Sequence, residues 1–351
     1  MTNIENYRSL ANRTGYEKVP IHFKLCPSLS EKFDAYCKEN DFTFQTGCAY
    51  IPNLVPKTVS DEVFRGFYDR DLKPGTKFTI YGVAQEPGSA AAYHMTKMYH
   101  PMEDFDSVEQ VLSFPYPEFG ELDLTAAKAA VEELHKNDTI AIGYASNVFW
   151  EPSWYLRGME NLMIDMMSED PIAEALLDRV TEIAIDRVRQ YAKAGVDVIY
   201  IGDDVGTQRS LLMSEDLYCT WLKPRLTRVI RAIKEIDPNI LVIYHSCGFV
   251  KPLIKHFIEA GIDILNPVQP ECMDFKEIYE EFSDRIAFNG TIGTQTTMPF
   301  GTADDVRREV FKNLEIAGDK GGLFVAPSHL LEPEVPVENV VAYIKACQDF
   351  K

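Results

Sequence analysis

Positive charge is scarce in this sequence: 35 lysines and arginines stand against 54 aspartates and glutamates, a formal net charge of −19 over 351 residues. Such a surface repels nucleic acid and anionic lipid headgroups, so neither is an expected partner. Long apolar runs are missing too. The longest uncharged run, Ile286–Ala303, is broken by polar residues, glycine and proline, so no segment stays apolar for the roughly 18 residues a membrane-spanning helix needs, and Met1–Arg8 has no apolar stretch of the kind that directs secretion. A cytoplasmic setting is therefore expected. Cysteine is sparse and unpatterned: the seven (Cys26, Cys37, Cys48, Cys219, Cys247, Cys272, Cys347) are odd in number and scattered, unlike the dense, paired framework of a small secreted domain. All but Cys247 read as small buried hydrophobes. Internal repeats, low-complexity tracts and Pro/Gly/Ser linkers are absent. Residues 1–351 thus read as one domain, with 46% hydrophobic residues to build its core.

What the sequence does hold is a regular beat of apolar runs and amphipathic segments from about residue 139 onward. The runs Thr139–Ala145, Val196–Gly202, Ile240–Tyr244, Ile262–Pro267, Ile286–Gly290 and Leu323–Ala326 are rich in Ile, Val and Tyr and predict strands. Between them, Ile172, Leu176, Val180, Ala184, Val188 and Tyr191 trace one face of a helix ending at Gly195, and Leu226, Val229, Ile230 and Ile233 trace another. Ser214, followed by Glu215 and Asp216, reads as an N-cap with acids in the first turn. Gly261 reads as the residue that closes a helix from about Lys251 to Ala260. Two upstream runs, Val19–Leu25 and Phe78–Val83, bring the strand count to eight. Eight strands alternating with helices predict an α/β fold, a (β/α)8 TIM barrel. Residues 40–75 and 85–125 are expected to add N-terminal loops and helices over the barrel mouth. An open doubly wound sheet is the alternative, but no Gly-x-Gly-x-x-Gly fingerprint follows any run.

In such a barrel the chemistry collects at the C-terminal ends of the strands. His245 and Cys247, two residues apart where Ile240–Tyr244 gives out, project to the same side of an extended strand and can converge on one ion. His329, just past the run ending at Ala326, is the best-placed third donor. Two imidazoles and a thiolate leave tetrahedral zinc one open position, as a catalytic zinc requires. The competing reading of a His-x-Cys pair is packing plus one hydrogen bond. Asp203 and Asp204 follow the Val196–Gly202 run, and neighbouring strand residues face opposite ways. One is expected in the mouth as proton donor, acceptor or further ligand, while the other braces a turn or pairs with Arg209. Asn147, Trp150, Glu151, Gln208, Arg209 and Gln269, also near strand ends, are candidates for substrate binding. Against that stands the ordinary role of such residues in capping helices and closing or packing turns. His22 falls inside the first predicted strand and can line the barrel, whereas His256 is expected at the surface. His94, His100 and His135 have no partner at ligand spacing.

The blocks Gly202-Asp203-Asp204, Leu211 through Tyr218, Lys223-Pro224, His245-Ser246-Cys247-Gly248, Gly261 through Asn266 and Pro333 through Val340 together resemble the uroporphyrinogen decarboxylase superfamily. The likeness covers most of residues 15–350. It implies a (β/α)8 fold and one of two activities: porphyrinogen decarboxylation, or zinc-dependent methyl exchange between corrinoid proteins and thiols or other acceptors. The decarboxylases resemble one another in an Arg-rich N-terminal segment that grips tetrapyrrole carboxylates. Here Val19–Pro27 holds one lysine, Lys24, and no arginine, which argues against an octacarboxylate substrate. The methyltransferases place a His-x-Cys pair and a later cysteine on zinc. His245 and Cys247 match the first two positions, and the third falls on His329, a departure that substitutes one zinc-binding residue type for another.

The expected function is therefore a zinc-dependent methyltransferase working with a separate corrinoid (cobalamin) protein and a small-molecule methyl donor or thiol acceptor, with Asp203 or Asp204 handling the accompanying proton. Nothing in the chain resembles a corrinoid-binding motif, so the corrinoid is expected on the partner. The rivals are a metal-free decarboxylase acting on a smaller substrate, with Asp204 and His329 as acid and base, and a non-catalytic barrel that binds a corrinoid or porphyrin. Whether the chain is a monomer or a homodimer is left open by the sequence.

Overall fold

A computed structural model of the protein describes residues 1–87 and 97–351; the candidate His94 lies outside them. Seven strands form one parallel sheet in unbroken chain order: β1 (Cys48–Tyr50), β2 (Ile140–Tyr144), β3 (Val198–Gly202), β4 (Leu241–His245), β5 (Ile264–Asn266), β6 (Ala287–Asn289) and β7 (Leu323–Phe324). Strands β2 to β7 lie within a few residues of the runs that predicted them. They read as continuous apolar stretches because both faces are covered: every residue of β3 is buried.

The first and last staves meet. Leu25 pairs in parallel with Leu331, the Cys26 amide donates to the Leu331 carbonyl and the Leu331 amide to the Lys24 carbonyl, both at 2.9 Å. On the other side of that segment the His22 ring lies 3.2 Å from the Tyr50 hydroxyl of β1. The sheet thus closes as the expected (β/α)8 TIM barrel, with Val19–Leu25 standing in the eighth stave's place. That segment is not the regular strand the sequence predicted: only Leu25 is bridged. Pro20 has no amide to offer a ladder.

Two further expectations are corrected. The run Phe78–Val83 is not a barrel strand; Lys77–Phe78 pairs antiparallel with Ala84–Gln85, which pairs in turn with Met98–Tyr99, in a separate small sheet. Gly82 turns the chain there at φ +72°, with the Phe64 ring where a side chain would stand. The barrel strand itself, β1, lies in residues 40–75, a segment expected to form loops and short helices over the barrel mouth. Three residues of strand are too few to show a period.

The covering helices form for the expected reasons. In the helix Pro171–Ala194 the Asp170 carboxylate accepts the Ile172 amide at 2.9 Å, and Gly195 closes the far end at φ +87°. Its apolar face, including Leu176, Leu177, Val180 and Val188, is buried, each such side chain contributing about 1.5–3 kcal/mol. Ser214 caps Glu215–Trp221 as expected, accepting the Leu217 amide at 3.1 Å. The segment expected as one helix from about Lys251 opens as a short 3-10 turn, Lys251–Leu253, before the α-helix Ile254–Ala260 closed by Gly261. Among the described residues no helix is long and apolar enough to cross a membrane.

Candidate metal centre and its cavity

Adjacent strands bring Gly202, His245 and Asn266 level with one another at the C-terminal end of the barrel. Gly202 is required there, because a Cβ would lie 2.5 Å from the His245 carbonyl oxygen and 2.6 Å from its Cβ. His245 Nδ1 lies 2.6 Å from Asn266 Oδ1 and 2.8 Å from the Tyr200 hydroxyl. Tyr200 itself donates to Asn266 Oδ1 at 2.8 Å, and Asn266 Nδ2 donates to Asn289 Oδ1 at 2.5 Å. An amide oxygen can only accept, so the proton sits on His245 Nδ1. The Nε2 lone pair is left for a ligand, as an imidazole bound to a metal requires.

Nε2 points at Cys247 Sγ, 3.3 Å away. One donor atom from each of His245, Cys247 and His329 lies within 4.8 Å of the others, so the three residues singled out in the sequence converge. The turn that carries Cys247 is braced on several sides. The Cys247 amide donates to Asp204 Oδ1 at 2.8 Å and the Gly248 amide to Gln269 Oε1 at 2.9 Å, while Ser246 Oγ accepts the Val205 amide at 3.0 Å. Gly248 is held at φ +85°, with the Thr207 carbonyl 2.5 Å from where a Cβ would be. Burial, then the Asp204 and Glu151 carboxylates, push the Cys247 thiol well above its ordinary range. A divalent cation reverses that balance, since a coordinating thiol is deprotonated. Two imidazoles, one with its tautomer fixed, and a thiol at a few ångströms form a donor set that fits zinc.

His245 and His329, but not Cys247, line a cavity of about 480 Å³, together with Asn147, Glu151, Tyr155, Asp204, Asn289 and the wall residues His22, Lys24, Tyr50, Tyr144 and Tyr200. The neighbouring aspartates, just past the end of β3, part company. Asp204 lines the cavity, its Oδ1 3.7 Å from His245 Nε2. Asp203 is fully buried and accepts four backbone amides, those of Val148, Phe149, Trp150 and Glu151, at 2.9–3.2 Å. It therefore ties the start of the helix Trp150–Arg157 to β3, with its carboxyl raised by burial to about 7 against the pull of those amides. Glu151 is pushed up to about 8 by burial and by the Asp203 and Asp204 carboxylates. Its Oε1 accepts the Tyr155 hydroxyl at 2.6 Å.

Of the remaining binding candidates, Asn147 lines the cavity and donates to the Tyr155 hydroxyl at 3.2 Å, from a left-handed backbone conformation at φ +59°. Trp150 is fully buried and Gln269 nearly so. Gln208 and Arg209 are exposed, and none of these four lines the cavity. No ion pair joins Arg209 to either aspartate among the described residues. His22 lines the cavity as expected. His256 is corrected: it is buried, between Glu215 at 2.9 Å, Cys219 at 3.4 Å and Lys223 at 3.2 Å.

The opposite wall was not read from the sequence. Lys24 Nζ lies 4.0 Å from the Tyr144 ring centroid, 4.4 Å from Tyr50 and 5.1 Å from Tyr200. Burial lowers its ammonium to about 8, and burial and Lys24 lower His22 to about 4. Tyr144 and Tyr200 face each other in register on β2 and β3, their rings 5.4 Å apart. Two tyrosines near the C-terminal ends of neighbouring predicted strands were the available signal.

The sequence profile of the family described as uroporphyrinogen decarboxylase (URO-D) matches residues 81–350. The chain belongs to that family. Among curated relatives, a methylated-thiol–coenzyme M methyltransferase of Methanosarcina mazei is 23% identical over 204 residues, covering 56% of this chain and 49% of the relative. A chloroplastic uroporphyrinogen decarboxylase 2 of Arabidopsis thaliana is 22% identical over 260 residues, 72% of this chain and 63% of the relative. The chain thus spans about half of the first of these relatives and just under two thirds of the second. In structure it is similar to a methyltransferase from Methanosarcina mazei, with a TM-score of 0.70, 20% identity, and coverage of 100% of this chain and 99% of the other. That likeness supports the barrel.

Proposed function

We propose that the protein is a zinc-dependent methyltransferase that moves a methyl group between a corrinoid protein and a small-molecule donor or thiol acceptor. The observation that carries this reading is the convergence of His245, Cys247 and His329, two of which, His245 and His329, line the cavity. The similarity to a methylated-thiol–coenzyme M methyltransferase supports it, as does the absence of arginine from Val19–Pro27, where a decarboxylase of tetrapyrroles needs cations.

His245, Cys247 and His329 would hold the zinc, which when bound supplies Lewis acidity toward a thiol sulfur or toward the oxygen or nitrogen of a methyl donor. The chain's own residues do the rest. Asn266 and Tyr200 fix the His245 ring. Asp204, at the cavity surface beside that ring, is placed to take the proton of an incoming thiol. Glu151, protonated at neutral pH, is placed to return a proton to a departing oxygen or nitrogen. A corrin ring is too large for a cavity of about 480 Å³, so a partner protein presents the cobalamin at the mouth, where His329 is exposed.

The test combines elemental analysis with methyl transfer from methylcobalamin to a panel of thiols. The expected outcome is about one zinc per chain and zinc-dependent transfer, both lost in Cys247→Ala. A metal-free protein that decarboxylates small acids supports the lyase reading instead, with Asp204 and His329 as its acid and base. Tight binding of a corrinoid or porphyrin without turnover supports a carrier.

A further inference from the structure

We propose that Asn147 is a positioning residue: its amide sets the direction of the hydrogen-bond chain from Asn147 through Tyr155 to Glu151, so that the proton carried by Glu151 stands on Oε2, beside Asp204. The inference rests on the methyl-transfer reading for the use made of that proton, but its observations are separate.

Asn147 holds a left-handed backbone at φ +59°, which asparagine reaches more easily than most residues with a side chain. Its neighbours impose that conformation. On one side the Arg187 guanidinium donates to the Tyr144 and Ser146 carbonyls at 3.0 and 3.2 Å; on the other the Val148 amide donates to the Gly202 carbonyl and to Asp203 Oδ1, both at 3.2 Å. The side chain is thereby carried onto the cavity wall with Glu151 and Tyr155. Its Nδ2 donates to the Tyr155 hydroxyl at 3.2 Å, and that hydroxyl donates to Glu151 Oε1 at 2.6 Å. An amide nitrogen only donates, so it occupies a lone pair of the Tyr155 oxygen and leaves the single hydroxyl hydrogen for Glu151. Oε1 is then the carbonyl oxygen of the acid, and the acid's own hydrogen belongs on Oε2, which accepts the Asp204 amide at 3.3 Å. The lengths agree: the bond to Oε1 is at the short end for its type and the bond to Oε2 is long for its type, as the poorer acceptor strength of an acid's hydroxyl oxygen requires. Burial and the Asp203 and Asp204 carboxylates keep Glu151 protonated up to about pH 8, against the pull of the Tyr155 hydroxyl. A proton taken by Asp204 and a proton returned by Glu151 are thus handled side by side.

The experiment follows the infrared C=O stretch of protonated Glu151 across pH, as wild type minus Glu151→Gln, in the purified chain with its zinc content matched between variants. Tyr155→Phe removes the hydrogen bond to Oε1, so the band is expected to move to higher frequency. Its titration midpoint is expected to rise by about half a unit or more, because the lost donor favoured the ionised form. Asn147→Gly, which keeps the left-handed backbone, is expected to move band and midpoint the same way by less, and to move neither in the Tyr155→Phe background. Asp203 and Asp204 also face Glu151, and their bands persist in Glu151→Gln. Burial raises Tyr155, Tyr244 and Cys247, the other titratable groups around it. A band unmoved by Tyr155→Phe, a band and midpoint unmoved by Asn147→Gly, or an Asn147→Gly shift of equal size with and without the Tyr155 hydroxyl overturns the proposal. If Asn147→Gly does not fold, Asn147→Asp takes its place: its shift is expected to be larger with the Tyr155 hydroxyl than in Tyr155→Phe, and equal shifts overturn the proposal. Turnover with a methyl ether or methylamine donor tests the methyl-transfer reading apart from the chain. Its alkaline limb is expected to follow the infrared midpoint in each variant; a limb that ignores the midpoint, or no turnover, removes that use of the proton and leaves the Asn147 chain standing.

Discussion

The two ends of the cavity are built in opposite ways. At the metal end, each functional group is held by neighbours: His245 by Asn266 and Tyr200, and the Cys247 turn by Asp204, Gln269 and Ser246. At the other end Lys24 rests on ring faces with no polar partner among the described residues. A metal site loses affinity steeply when ligand geometry is loose, and so it is braced. A lysine held on ring faces keeps its hydrogen-bond donors unspent. The contrast separates side chains locked by hydrogen bonds from a cation held only by ring faces.

The strongest way to break this contrast is at the metal end. Cys247→Ala should abolish zinc binding and lower methyl transfer by roughly a thousandfold or more, measured as metal content and turnover. The adjacent aspartates come next. Asp203→Ala strands four buried amides and should cost on the order of 3–5 kcal/mol by chemical denaturation, whereas Asp204→Asn should leave stability within about 1 kcal/mol and reduce turnover. Equal destabilisation by both would erase the distinction between brace and catalyst. Asn266→Ala frees the His245 ring and should weaken zinc affinity about 10–100-fold in a chelator competition, with the fold retained.

A pH series tests the raised carboxyl of Glu151. Its carboxyl is raised from the ordinary 4.5 to about 8 in the folded chain. The unfolded chain gives up that proton first, so stability is highest below about 4.5, declines as pH rises toward 8, and is level above it. Asp203, raised from 3.8 to about 7, acts in the same direction. Denaturation midpoints across that range should fall in wild type and fall less in Glu151→Gln. Turnover that needs the Glu151 proton should drop above about pH 8, and that limb should disappear in the variant.

How much of this was legible beforehand follows from chain locality. Strands β2 to β7 were readable because parallel strands buried on both faces leave continuous apolar runs, and the donor trio because His245 and Cys247 stand at the end of one such run and His329 just past another. The N-terminal third hid its contribution. Strand β1 is three residues long, and the eighth stave holds its place through a single bridge at Leu25. Tyr50 and Lys24 therefore carried no periodic signal to mark them as cavity residues. The roles of Asp203 and Asp204 could be divided in principle, since adjacent extended residues face opposite ways, but which faced the cavity depended on the distant amides of Val148 through Glu151 that hold Asp203. The burial of His256 depended on a contact with Glu215, 41 residues away.

The central claim is that His245, Cys247 and His329 share one metal ion. X-ray absorption at the zinc edge of the purified protein tests it most directly. The account predicts one sulfur near 2.3 Å and nitrogen ligands at about 2.0–2.1 Å, with the sulfur shell lost in Cys247→Ala. A protein that takes up no zinc, or zinc with only oxygen neighbours and a spectrum unchanged in that variant, would contradict it.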